Sequence, residues 1–170
     1  MYESLNLSKK NVLYMLRESN AIEDVYDRQS LVNAHRAWKF LIGQKELCTE
    51  CILIAHRILM TNHSIENRYK GDWRDIPVTI GGEYKSQPKI VIHSLMIDYV
   101  NDINKLSEDY IGMHLRFESI HPFIDGNGRM GRMILNWHRV RSGQPLMIFT
   151  KENVNAYYSL FNSNREPLNV

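Results

Sequence analysis

The chain lacks any apolar run long enough to cross a bilayer: its longest strongly apolar stretch, at 51–55, is about a quarter of a spanning helix. Residues 1–10 hold no apolar segment of the secretory-leader kind. A soluble cytoplasmic protein without membrane association is therefore expected. Charge of one sign is lacking too. The net charge is +2, with lysines and arginines spread along the chain, so nucleic-acid binding is not expected. Internal repeats, low-complexity tracts and a linker are all missing, and the 170 residues read as one domain, 1–170. Cysteine is nearly absent. Cys48 and Cys51 form a C-x-x-C near His56, but without a second ligand pair for zinc or a βαβ context for redox work. They read as reduced, small hydrophobes inside a helix.

With 44% hydrophobic residues there is material for a real core. Most of it falls at helical spacing. Ser8 suits the N-cap of a first helix that turns Val12, Leu13 and Leu16 inward. A second helix is expected from Ser30, with Leu31, Ala34, Trp38, Leu41 and Ile42 as its stripe and Gly43 as its stop. A third runs over about 49–60. Ser94 marks the cap of another, and one from about Glu108 carries Ile111, His114, Phe117 and Ile120 and delivers His121 at its end. A last helix lies near 151–162.

Residues 61–93 break this pattern. The β-branched runs at 76–80 and 89–92 flank Gly81-Gly82 and Gln87-Pro88, which predicts a hairpin over about 76–92, with a simple long loop as the alternative.

The chemistry concentrates at 121–132, His-Pro-Phe-Ile-Asp-Gly-Asn-Gly-Arg-Met-Gly-Arg. Met130, Met133, Ile134, Trp137 and Val140 follow at helical spacing, so Gly126-Asn127-Gly128 opens a helix. Free N–H groups and the dipole at such an opening favour an anion, and glycine lets the backbone approach it. Arg129 and Arg132, three apart, add guanidinium groups near the same end. A carboxylate at Asp125 beside an anion implies a cation between them, Mg²⁺, unless Asp125 simply caps the helix. His121 is the candidate general base, since an imidazole takes a hydroxyl proton near neutral pH. Together these residues describe a phosphate site with a base beside it. His114 shares a helix face with His121 but reads as a packing residue.

This stretch resembles the signature of the Fic family, His-Pro-Phe-x-Asp-Gly-Asn-Gly-Arg-x-x-Arg, at every defined position. The resemblance implies a mainly α fold, a Fic-type helical bundle with a short β-hairpin flap over the active site. It also implies a protein adenylyltransferase that moves AMP from Mg-ATP to a Ser, Thr or Tyr hydroxyl of a protein target. In that reading Asp125 holds Mg²⁺ and Asn127 offers its amide to the α-phosphate. The backbone of Gly126 and Gly128 cradles phosphates, while Arg129 and Arg132 take the β and γ oxygens. Attack at the α-phosphorus gives adenylylation and attack at the γ-phosphorus a kinase; the intact Gly-Asn-Gly-Arg argues for the former, because the Doc-like branch, which phosphorylates, replaces it. Tyr158 resembles a family tyrosine that packs on adenine, with core packing as the alternative, and Asn164 is a further candidate near the base.

Ser19-Asn20-Ala21-Ile22-Glu23 resembles the family's inhibitory motif, Ser/Thr-x-x-x-Glu-Gly/Asn, in members that carry it ahead of the core. Over about 8–25 it implies an inhibitory helix whose Glu23 pairs with Arg132, in place of the γ-phosphate. Asp24 departs from the Gly/Asn of that pattern. An exposed, idle glutamate is the alternative for Glu23. The function alternatives are a de-AMPylating hydrolase using Glu23 and a non-catalytic nucleotide-sensing or protein-binding module. A homodimer or regulated oligomer is a further possibility the family allows.

Overall fold

The computed structural model describes residues 7–80, 84, 85 and 87–161. Among them the chain forms α1 (Lys9–Ile22), α2 (Arg28–Ile42), α3 (Thr49–Leu59), α4 (Lys89–Ile103), α5 (Tyr110–Ile120), α6 (Asn127–Arg141) and α7 (Val154–Ser159). Strands β1 (Thr79–Ile80) and β2 (Tyr84–Lys85) lie between α3 and α4 and pair antiparallel, Thr79 opposite Lys85 and Ile80 opposite Tyr84. The fold is mainly α, as expected.

Helix α6 is the centre of the bundle. It is buried nearly all round rather than along one stripe, and it packs on α5, α1 and α2. Met130, Met133, Ile134 and Trp137 join Leu16 of α1, Trp38 and Leu41 of α2 and Phe117 of α5 in one core. Each large apolar side chain so buried contributes about 1.5–3 kcal/mol. The Trp137 indole N–H donates to the Gln44 carbonyl at 3.1 Å, which satisfies its one polar group and ties the exit of α2 to α6. Because α6 is central, the polar residues of its first turns are held in a packed interior, and that rigidity carries over to the site.

Several boundaries differ from the sequence reading. Helix α2 starts earlier than Ser30: Asp27 is its N-cap and accepts the Ser30 N–H at 2.8 Å. The run at 89–92 is not a strand but the first turn of α4, entered from Pro88, and Ser94 lies inside that helix. Ile92, Met96, Tyr99 and Ile103 fall on one buried face, and that packing overrides the β preference of Ile and Val. The strand pairing is accordingly shorter than 76–92, and Gly81-Gly82 lie outside the described residues. Helix α7 is six residues, well short of 151–162. Cys48 stands before α3 as its N-cap, its sulfur accepting the Cys51 N–H, and the two cysteines are joined as a disulfide instead of being reduced. The first turn of α3 brings their α carbons to 5.0 Å, a separation a disulfide spans.

Candidate active site

Helix α5 ends at His121, whose φ of 49° and ψ of 60° are left-handed. A non-glycine residue there costs roughly 1–3 kcal/mol unless its surroundings hold it. Arg74 does so, donating from Nε to the His121 carbonyl at 2.7 Å, while the Arg74 N–H donates to the Pro122 carbonyl at 2.9 Å. The same guanidinium reaches the carbonyls of Ile76 and Gln87, on either side of the strand pair. The His121 ring approaches the Glu118 carbonyl through Nδ1 at 3.2 Å. A carbonyl only accepts, so Nδ1 carries the hydrogen and Nε2 keeps its lone pair.

The chain then folds into α6 through a tightly tied loop. Phe123 is buried and stacks on His56, ring centroids 3.7 Å apart, with Trp73 at 5.2 Å. Asn127 bonds Phe123 at both ends, Oδ1 accepting its N–H and Nδ2 donating to its carbonyl, each at 2.9 Å. The side chain expected to offer its amide to a phosphate also braces the loop. Its short reach and its place one helical turn from Phe123 give that result. His56 accepts the Gly71 N–H on Nδ1 and donates from Nε2 to the Asp125 carbonyl, both at 2.9 Å. Burial pushes its pKa down to about 4, so the ring is neutral, as both bonds require.

Gly126 is the N-cap of α6 at φ 79°, and a side chain there would strike the Met60 sulfur at 2.9 Å. With no side chain to cap them, the first amides of α6 stay available to an anion. The Asp125 carboxylate accepts the Gly126 N–H at 2.5 Å and lies 3.4 Å from His63 Nε2, with nearly half of its surface exposed. Among the described residues no cluster of three or more metal-binding side chains occurs. One open carboxylate next to an anion site fits Mg²⁺, an ion that commonly uses one or two carboxylates together with substrate phosphates and water.

The two arginines part company. Arg129 is buried toward Met60, its Nη2 3.3 Å from the sulfur and 3.9 Å from Asp125 Oδ1, and burial pulls its pKa below the usual value. Arg132 turns to α1 and α7. Its Nε donates to Ser19 Oγ at 2.9 Å, and Nη2 donates to the Ser19 carbonyl at 2.9 Å and to Glu23 Oε1 at 2.7 Å. Nη1 donates to the Tyr157 hydroxyl at 3.2 Å. Burial alone would lower its pKa, yet Tyr157 and Glu23 raise it above the ordinary value. Ser19 and Glu23, 113 and 109 residues from Arg132 in sequence, thus meet it in one bonded group.

Asp24 takes the left-handed backbone, φ 56°, that glycine or asparagine adopts most easily. Its Oδ1 is held by Lys151 Nζ at 2.9 Å and by the Tyr26 hydroxyl at 3.0 Å. Tyr158 is half exposed beside Tyr157, ring centroids 5.5 Å apart, and Asn164 lies outside the described residues. His114 is buried behind the site, bonded to the Tyr157 hydroxyl at 3.1 Å, its pKa pushed down to about 3 by burial and then by Arg132. Sequence reasoning missed His56, Tyr157 and Lys151 as members of this site. His56 is 69 residues from its Asp125 partner, and no local pattern signals such contacts.

The Fic/DOC family profile matches residues 46–138. The chain is 32% identical over 120 residues to the protein adenylyltransferase fic-1 of Caenorhabditis elegans, covering 67% of this chain and 23% of that one. It is 27% identical over 148 residues to the protein adenylyltransferase Fic of Drosophila mojavensis, covering 83% and 28%. The chain thus spans about a quarter of the length of the curated relatives it matches. A Fic domain containing signaling protein from Bacteroides thetaiotaomicron superposes with a TM-score of 0.78 at 18% identity, covering 95% of this chain and 74% of that one. Fic-1 from C. elegans superposes with a TM-score of 0.77 at 22% identity, covering 96% and 59%. Their fold is the fold described above. In fold, in motif and over more than half of its length, the chain belongs to the Fic/DOC family.

Proposed function

We propose that the protein is an adenylyltransferase that transfers AMP from Mg-ATP to a hydroxyl of a protein target, restrained by Glu23. Residues 1–170 act as one Fic unit, with an inhibitory helix at about 8–25, a flap built on β1 and β2 and the motif at 121–132. The observation that carries this reading is the His121 ring at the end of α5, with hydrogen on Nδ1, followed a few residues on by the start of α6, which no side chain caps. A phosphate chain fits the first-turn amides, and Arg132 is the cation placed to take its terminal oxygens once Glu23 is gone.

The target hydroxyl gives its proton to His121 Nε2. The freed oxygen pair forms a bond to the α-phosphorus, the bridge to the β-phosphate breaks, and pyrophosphate leaves with that electron pair. Amides of α6 and the arginines stabilise the added charge. Asp125 would hold magnesium, which when bound would neutralise phosphate charge. Tyr158, half exposed on α7 beside Tyr157, is the adenine platform in this reading. Glu23 occupies the Arg132 fork that a γ-phosphate would use, so ATP is misaligned for in-line attack. No helix among the described residues is long and apolar enough to cross a membrane.

Labelled ATP tests the reading: α-label transferred to protein supports it, γ-label transfer indicates a kinase, and binding without transfer indicates a nucleotide sensor. One observation favours a second activity on the same residues. Glu23 Oε1 lies over Gly128 at the mouth of α6, where a carboxylate is able to orient water for removal of AMP. Loss of AMP from a modified target, abolished by Glu23→Gly, would identify it.

A further inference from the structure

Glu118 is a carboxylate sunk in the interior, 4% exposed, one helical turn before His121 on α5. Such a charge is costly to bury, and a residue that serves only packing gains nothing from it. Its carboxylate lies toward the ring: Oε2 is 4.0 Å from His121 Nδ1, while its own carbonyl accepts from the same nitrogen at 3.2 Å. Space for it is made by the facing helix. At Gly131 of α6 a methyl group would stand 2.1 Å from Glu118 Oε1, so only glycine leaves the pocket open there.

We propose that Glu118 is the positioning residue of His121: from the pocket at Gly131 its carboxylate stabilises the imidazolium, and its carbonyl fixes the tautomer that presents Nε2 as the base. This rests on the reading of His121 as general base. The proton arriving at Nε2 makes the ring cationic, with Nδ1–H kept on the Glu118 side. A buried negative charge about 4 Å away favours that cation and raises the ring's basicity. Other groups facing the pair set the background: Arg132 from α6, Tyr157 from α7, Tyr99 from α4, His114 from α5, and Arg74 at the His121 carbonyl. Arg132 opposes the effect and is itself balanced by Glu23; the tyrosines stay neutral, since burial raises their pKa values.

The test is an NMR titration of the His121 ring in the full chain, assigned by comparison with His121→Ala. In Glu118→Gln the ring's pKa is expected to fall by about one unit, as a neighbouring carboxylate is removed. Gly131→Ala, which pushes the carboxylate away without deleting it, shifts the ring in the same direction. In the Glu23→Gly background the acid limb of the transfer rate moves to lower pH by a similar amount. There kcat falls about tenfold with the KM for ATP unchanged, and Glu118→Asp recovers part of the loss. An unchanged His121 titration in a folded Glu118→Gln protein overturns the proposal, as does a rise in KM alone, which would assign Glu118 to Arg132 instead. The titration needs no turnover, so a chain without transferase activity still tests Glu118, and an active one with an unmoved ring rejects Glu118 alone.

Discussion

Glu23 Oε1 fills the space above the α carbon of Gly128: a methyl group there would stand 2.3 Å from it. The same oxygen lies 2.7 Å from Arg132 Nη2. A carboxylate in this position covers the start of α6 and takes up a donor of the buried guanidinium at once.

Glu23→Gly is therefore expected to raise AMP transfer on the order of tenfold, by freeing one charge-assisted hydrogen bond of about 1.5 kcal/mol for the γ-phosphate. Glu23→Gln, which keeps shape and loses charge, should fall between parent and glycine. The measurement is the initial rate of label transfer to a target or to the chain itself. Equal rates in all three proteins would remove the brake.

The end of α1 is fastened from outside the motif. Lys151 Nζ holds Asp24 Oδ1 at 2.9 Å, and the Lys151 N–H reaches Glu18 Oε2 at 3.2 Å. Lys151→Ala should loosen Glu23 and raise basal transfer, though less than Glu23→Gly does. Because the Asp24 pair is open to solvent, parent activity should also rise with added salt, and the Lys151→Ala protein should respond less. A variant as quiet as the parent at every salt concentration would count against the fastening.

How much of this was legible in the sequence depends on the range of each contact. The motif was readable from fixed residues at fixed spacing, and the pairing of Glu23 with Arg132 from the resemblance of 19–23 to the family's inhibitory motif; the bonds of Ser19 to Arg132 were not. Asp24 looked like a misfit, yet it adopts the left-handed backbone, and its side chain is held by Lys151, which no local pattern foretells. The start of α4 was misread because Ile-Val-Ile suits a strand until its burial against the bundle is known. The bonds of Asn127 to Phe123 were not foreseen, because they follow from loop geometry that spacing does not reveal.

Acid should weaken the fold through two histidines. His56 and His114, with folded pKa values of about 4 and about 3, lie below the ordinary histidine value. Between that value and those numbers the unfolded chain binds more protons. Their stabilising contribution is full above about pH 6.5 and is lost as pH falls below it, on the order of 2 kcal/mol per residue by pH 5. Asp102, pulled down to about 2 by Arg116 and Lys105, does not contribute in that window. Urea unfolding at pH 7 and pH 5 measures the loss, and His114→Gln should shrink it. Stability that is flat between these pH values would contradict the neutral, buried state of both rings.

Gly126→Ala combines a left-handed backbone with a collision at the Met60 sulfur. A loss of about 1–3 kcal/mol in stability is expected, read from the urea midpoint. ATP binding by calorimetry should weaken further than that loss of folded protein explains, since the turn shapes the anion site. Full ATP affinity in this variant would detach the Gly126 turn from nucleotide binding.

The most direct measurement compares Glu23→Gly with the double variant Glu23→Gly/His121→Ala, using ATP labelled at the α- or the γ-phosphate and a cell extract as the source of targets. The expected result is α-label on protein in the first, none in the second, and undiminished ATP binding in both. Protein that acquires γ-label, or α-label that survives the loss of His121, would contradict a transferase that works by handing its target's proton to that ring.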